Sequence, residues 1–181
     1  MHLGDGYICR ARRTYRFHVS LHQHQGTVIR RVAEAIAVLR PGHPVGVRRR
    51  GVVAIVNAYS NAWAALFPQH GAGRKHLRPI ALEPWQWSIA NQHPAEFVRG
   101  CIESDGRHRR VVAGRNYPAY AFTNHSEDIL LLFMRACGMI NLHPRRANRV
   151  TVSIARRADV AKLDRVLGDG RADAVLVPST N

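Results

Sequence analysis

The sequence predicts an α+β fold in which one αββαββα unit is used twice within a single 181-residue domain. Three observations lead there. Period-two and period-3.6 apolar patterns follow one another in the same order in both halves of the chain. The dipeptide Asp-Gly opens each series, at Asp5-Gly6 and again at Asp105-Gly106. Basic residues are spread along both halves instead of being gathered in a tail.

In the first half, YICRARRTYRFHVSLH alternates. Tyr15, Phe17, Val19 and Leu21 share one face and Thr14, Arg16, His18 and Ser20 the other, as in a strand with one buried side. GTVIRRVAEAIAVLR then sets Val28, Ile29, Val32, Ala35, Ile36 and Leu39 along one helical face, and Pro41-Gly42 stops it. PVGVRRRGVVAIVNAY reads as two strands turning near Arg50-Gly51, and NAWAALF as a short apolar helix.

The second half repeats this order. A basic segment follows Asp105-Gly106, and YPAYAFTN reads as a strand. SEDILLLFMRACGMI is a helix whose first turn carries acids, which suit the helix dipole. NLHPRRANRVTVSIA is a strand pair with Val150, Val152 and Ile154 on one face. RRADVAKLDRVLG closes the half as an amphipathic helix with a Val160, Leu163, Leu167 stripe. Tyr15-Arg16-Phe17 matches Tyr120-Ala121-Phe122, and an apolar helix of like length follows each. The expected divisions are a first half at 1–67, a connection at 68–93 with a helix near Trp85–Asn91, a second half at 94–170, and a tail at 171–181.

Charge narrows the function. The chain carries 27 Lys and Arg against 12 Asp and Glu, a formal +15, and 25 of the basic residues are arginine. A GC-rich coding bias accounts for Arg over Lys but not for the scarcity of acids, so the expected partner is a polyanion, of which nucleic acid is the commonest. A hydrophobic share of 46% argues against disorder. No apolar run approaches the roughly 20 residues of a membrane span, and no basic-then-apolar leader opens the chain, so no membrane is expected. Cys9, Cys101 and Cys137 are odd in number and far apart, which fits neither a disulfide framework nor a zinc cluster, and a reducing cytoplasm is expected. His18, His22 and His24 match no zinc spacing, and Trp63, Trp85 and Trp87 read as packing residues.

FVRGCIESDG (97–106) ends an apolar, glycine-containing helix on acids in a basic chain. Val98 to Gly106 fill, in order, the nine positions of a motif that resembles that of the LAGLIDADG homing endonucleases. Gly100, Ile102, Asp105 and Gly106 agree best, and Glu103 keeps an acid two positions earlier. Met1-His2-Leu3-Gly4-Asp5-Gly6 is similar to the end of a second copy, aligned on its Asp-Gly. Upstream of the complete motif, GRKHLRPI resembles the lysine-containing segment that precedes the second motif in many such domains.

The resemblance implies a duplicated LAGLIDADG homing-endonuclease-like fold with a pseudo-twofold axis and saddle-shaped antiparallel sheets, monomeric because the symmetry is internal. Two motif helices would pack side by side, with Gly100 permitting close approach. Asp5 and Asp105 would hold a divalent metal, Mg²⁺, aided by the backbone carbonyls of Gly4 and Ser104, for metal-dependent hydrolysis of duplex DNA. Lys75 would be a catalytic cation that steadies transition-state charge or the attacking water, or else a surface contact to phosphate. Glu103 reads instead as a solvated acid or an ion-pair partner. Asp-Gly is also a common turn dipeptide, which is the bland reading of both pairs.

Strand arginines supply the candidate DNA contacts: Arg10, Arg12, Arg16, Arg48 and Arg50, then Arg109, Arg110, Arg145, Arg149 and, after the last strand, Arg156. Two other functions fit the same scaffold, a DNA-binding transcriptional regulator that has lost catalysis and an RNA-binding maturase. No intein splicing motif is present. Only four residues precede Asp5, about one helical turn, so Asp5 is expected to be loosely held unless an upstream segment precedes Met1.

Overall fold

The computed structural model describes residues 1–112 and 115–168, apart from the side chains of 110–116. Residues 1–5 form tight turns, with the amides of Gly4 and Gly6 both donating to the Met1 carbonyl at 3.2 and 3.1 Å. There follow β1 (Gly6–Ala11), β2 (Thr14–His22), α1 (Gly26–Leu39), β3 (Val45–Arg50), β4 (Val53–Tyr59) and α2 (Trp63–Leu66). A 3₁₀ turn (Lys75–Leu77) and α3 (Pro84–Gln92) lead to the second series. That series is α4 (Pro94–Asp105), β5 (Gly106–Val112), β6 (Arg115–Thr123), α5 (Glu127–Met139), β7 (Arg145–Asn148), β8 (Thr151–Ile154) and α6 (Arg157–Leu167). The expected 171–181 tail and the Arg110 side chain lie outside the described residues.

Each half builds a four-stranded antiparallel sheet of the same topology, β1-β2-β4-β3 and β5-β6-β8-β7. Alternation decides which side is buried. In β2 and β4, Phe17, Val19, Leu21, Ala54, Val56 and Ala58 turn inward against Val28, Ile29, Val32 and Ile36 of α1 and Trp63 of α2. The Trp63 indole, wholly buried, satisfies its N–H on the Ala58 carbonyl at 3.1 Å. In the second half, Tyr120, Phe122, Val152 and Ile154 pack against Val98 and Ile102 of α4, the apolar face of α5, and Val160, Leu163 and Leu167 of α6. Ser126 caps α5 by accepting from the Ile129 amide at 3.4 Å.

The register corrects three sequence-level expectations. Gly6 pairs with Val19 and Gly106 with Phe122, so Phe17 corresponds to Tyr120. The match of Tyr15-Arg16-Phe17 to Tyr120-Ala121-Phe122 is therefore displaced by two residues, a slip that period-two alternation cannot detect. On α1, Ala35 and Leu39 are exposed, and Ala33 packs at the edge of the core instead. Val150 sits in the turn before β8 and is half-buried, whereas Val152 and Ile154 are buried.

The halves meet where residues 1–6 lie on α4. Leu3 is buried in the core of the second half, and the Met1 ammonium donates to the Gly100 carbonyl at 3.1 Å. Arg31 of α1 forms an ion pair with Glu103 of α4, whose side chain is only 7% exposed. Glu103 is thus a buried cross-half partner. An apolar groove of about 340 Å³ runs beside Met1, between Leu39, Leu66, Trp85, Ile89 and Phe97.

At Gly4 the approach leaves no room for a side chain. A Cβ there would stand 2.3 Å from Ser104 Oγ, 2.6 Å from Ser104 Cβ and 2.7 Å from an Asp105 carboxylate oxygen. Gly4→Ala is expected to destabilise by about 1–3 kcal/mol, the usual cost of forcing a methyl into a closed contact. Urea unfolding of the two forms measures this, and an unchanged midpoint would mean that the turn moves off α4 without cost.

Candidate metal and nucleic-acid site

Both candidate acids stand at the end of a turn or helix and immediately before a strand. Asp105 is the last residue of α4, and Asp5 is the last residue before β1. The glycine that follows each is demanded by sterics: a Cβ on Gly106 would lie 2.3 Å from the Ile102 carbonyl oxygen, and one on Gly6 would lie 2.6 Å from the His2 Cα. The chain thus turns from helix or turn into strand without clearance, which places each carboxylate at the junction between the halves.

The electrostatics are those of crowded acids. Burial raises Asp5 from an ordinary 3.8 to about 6, and the neighbouring Asp105 charge adds to the rise, against the opposing pull of the amino terminus and Lys75. Asp105 is also raised by burial, opposed by a 2.9 Å hydrogen bond from the Asn124 amide and by Lys75. Its place at a helix C-terminus, the negative end of the dipole, adds to the cost of its charge. His2 is held neutral, lowered to about 3 by burial and by Lys75, and its ring packs against Phe17 and Phe67.

Such a pair fits a hard divalent cation. Two carboxylates offer only oxygen donors, and a cation between them would relieve the strain that raises Asp5. Among the described residues no group of three or more His, Cys, Asp or Glu side chains is placed to hold a metal, so an ion at this pair would need further donors that are not such side chains. The Gly4 carbonyl also accepts a hydrogen bond from Lys75 at 2.6 Å. The Ser104 hydroxyl is turned back onto the carbonyls of Gly100 and Cys101, at 3.0 and 2.9 Å. Lys75 lies beside both acids, and burial lowers it to about 8.

Strand parity sorts the arginines. On the sheet side opposite the first core stand Arg16, Arg48 and Arg50, with His18 and Asn57 among them. Arg10 has the parity of Ile8 and so belongs to the core side, at the exposed end of β1, and Arg12 occupies the β1–β2 turn with φ 57°. In the second sheet Arg109 and Arg145 stand opposite the core, Arg149 lies in the β7–β8 turn, and Arg156 precedes α6. Arg107 shares the Arg109 side and was absent from the sequence-level candidates, although its two-residue spacing from Arg109 could have signalled it. Asn124 was missed for want of any signal, because its partner is 19 residues away in sequence.

No family sequence profile matches the chain, and no curated protein matches it significantly. Solved structures do resemble it. The homing endonuclease I-DmoI in complex with DNA and Mn superposes with a TM-score of 0.61 at 11% identity, over 92% of each chain. The LAGLIDADG meganuclease I-AabMI bound to uncleaved DNA gives 0.53 at 13% identity, over 91% of this chain and 79% of that one. The N-terminal LAGLIDADG domain of DUF199/WhiA gives 0.50 at 13% identity, over 91% of this chain and 77% of that one. Two like sheets, joined where Asp5 and Asp105 meet beside α4, are the LAGLIDADG homing-endonuclease fold, and this chain has it.

Proposed function

We propose that the chain is a DNA endonuclease of the LAGLIDADG type, monomeric and cytoplasmic, which binds duplex DNA across its two arginine-bearing sheet faces. The observation that carries this reading is the convergence of two half-buried carboxylates, Asp5 and Asp105, where the two halves meet. They would hold a divalent metal, Mg²⁺, with the backbone carbonyls of Gly4 and Ser104 beside them. When bound, such an ion polarises phosphate and lowers the pKa of water for in-line hydrolysis. Asn124 orients Asp105, and Arg16, Arg48, Arg50, Arg107, Arg109 and Arg145 supply cationic contacts to the phosphate backbone. A solved neighbour in complex with DNA and Mn is consistent with this use of the fold. Among the described residues no helix is long and apolar enough to cross a membrane.

A second reading, DNA binding without cleavage, draws on one asymmetry. Asp105 ends a 12-residue helix and is held by Asn124, whereas Asp5 stands on a turn. Phosphoryl transfer needs both acids placed to about half an ångström. A cleavage assay on a plasmid library with Mg²⁺ separates the two: linear or nicked product supports the endonuclease, and binding without product supports the alternative.

Duplex binding should weaken steeply with salt. Neutralising six to ten phosphates gives a log–log slope of roughly −5 to −9, read from fluorescence anisotropy over a salt series. A flat response would remove the proposed DNA partner. Asp105→Asn should abolish cleavage while leaving affinity equal or higher, because an unneutralised carboxylate repels phosphate. Parental cleavage by this variant would exclude Asp105 as a metal ligand.

The raised Asp5 gives a signed pH effect. Its carboxyl binds a proton more tightly folded than unfolded, so its contribution favours the fold below pH 4 and is lost as pH rises through about 6. Buried neutral His2 acts in the opposite direction in acid, so the comparison must be between variants. Without divalent metal, Asp5→Asn should unfold at higher urea than the parent at pH 7.5, and the gap should close by pH 4. Added Mg²⁺ should stabilise the parent at pH 7.5 and not the variant. A gap independent of pH would refute the crowded-acid account.

A further inference from the structure

We propose that Lys75 is a positioning residue, a lock that holds the turn carrying Asp5 in its conformation, and not a cation that meets water or phosphate. Its ammonium donates to four backbone carbonyls in that turn and just after it: His2 at 2.6 Å, Leu3 at 3.1 Å, Gly4 at 2.6 Å and Gly6 at 2.7 Å. An ammonium has three protons, so every one is engaged and at least one is shared. The side chain is brought in from the 3₁₀ turn Lys75–Leu77, far along the chain, and is half-buried.

The two halves explain why such a lock is needed. At the end of α4 the carbonyls have local partners: the Gly106 amide bonds to Ile102, and the Ser104 hydroxyl serves Gly100 and Cys101. Asn124 then fixes Asp105. Residues 1–5 are turns, not a helix, and Leu21 occupies the register position equivalent to Asn124. The carbonyls of this turn would face a partly dry junction without donors, at about 1–3 kcal/mol for each group left unsatisfied. Lys75 supplies the donors that the second half draws from its own helix and from Asn124, and in doing so it sets the direction in which the Asp5 side chain leaves the backbone.

The placement of the turn stands on this geometry alone, while its effect on metal rests on the endonuclease reading. Lys75→Met removes the donors and keeps the aliphatic stem. By NMR hydrogen exchange on the metal-free protein, the Gly4 and Gly6 amides should exchange at least tenfold faster, with α5 amides changed less than twofold. Lys75→Arg, which keeps a cation with several N–H donors, should recover part of that loss. In Mn²⁺ titrations followed by EPR, Lys75→Met should bind at least threefold more weakly. Loss of a neighbouring positive charge would by Coulomb's law act in the opposite direction, so the sign separates positioning from simple charge. Unchanged Gly4 and Gly6 exchange, an equal loss in Lys75→Met and a folded Lys75→Arg, or tighter Mn²⁺ binding by Lys75→Met would each overturn the proposal. If the parent binds no Mn²⁺, the endonuclease reading fails and the exchange data still decide the lock.

Discussion

The closeness of residues 1–6 to α4 is the constraint on which the rest of the molecule depends. The Met1 ammonium on the Gly100 carbonyl, Leu3 in the second core and the backbone of Gly4 against the Ser104 side chain bring the two segments together with no room for a Cβ at Gly4. That contact is what half-buries Asp5 and Asp105 side by side. Their raised proton affinities follow from it, as does the fit of the pair to a hard cation. A wider junction would leave two ordinary solvated acids.

The scarcity of acids acquires a structural sense alongside this. Several of the 12 are occupied as staples between elements. Glu103 pairs with Arg31, Glu127 with Arg146, and Asp159 with His143, while Asp128 accepts from the Ile80 amide and Asp164 from the Tyr120 hydroxyl. Arg146, which has core-side parity, is among those neutralised. Among the described residues no ion pair engages Arg16, Arg48, Arg50, Arg107, Arg109 or Arg145. The sheet faces opposite the cores therefore keep their positive charge, which is the condition for long-range attraction of a polyanion.

Most of the fold was legible because burial writes itself into periodicity. The alternation of β2 and the stripe of α1 follow directly from one wet and one dry side, and the duplicated Asp-Gly marks where each sheet begins. What alternation cannot carry is register, which is why Tyr15 was set against Tyr120 when Phe17 holds that place. For Arg10 and Arg12, basic character was visible in the sequence, but parity and a left-handed turn put them off the expected face. Lys75 stood out as one of two lysines, yet its role did not, because backbone carbonyls have no sequence signature. Asn124 was invisible for the related reason that a hydrogen bond across a sheet edge leaves no spacing rule.

The contact of Gly4 with Ser104 also bears on how such proteins can be recombined. A chimaera that takes one half from a relative inherits a single side of a joint whose two surfaces fit without slack. Each sheet has its own core and could fold in such a hybrid, yet a methyl on one side, or a bulkier residue in place of Ser104 on the other, would tilt the halves and part the acids. Exchange is best made with residues 1–6 and α4 moved as one piece, the crossover falling in the sheets. The grafted strands would then carry their own surface side chains, while the joint that aligns the carboxylates passes intact from parent to progeny.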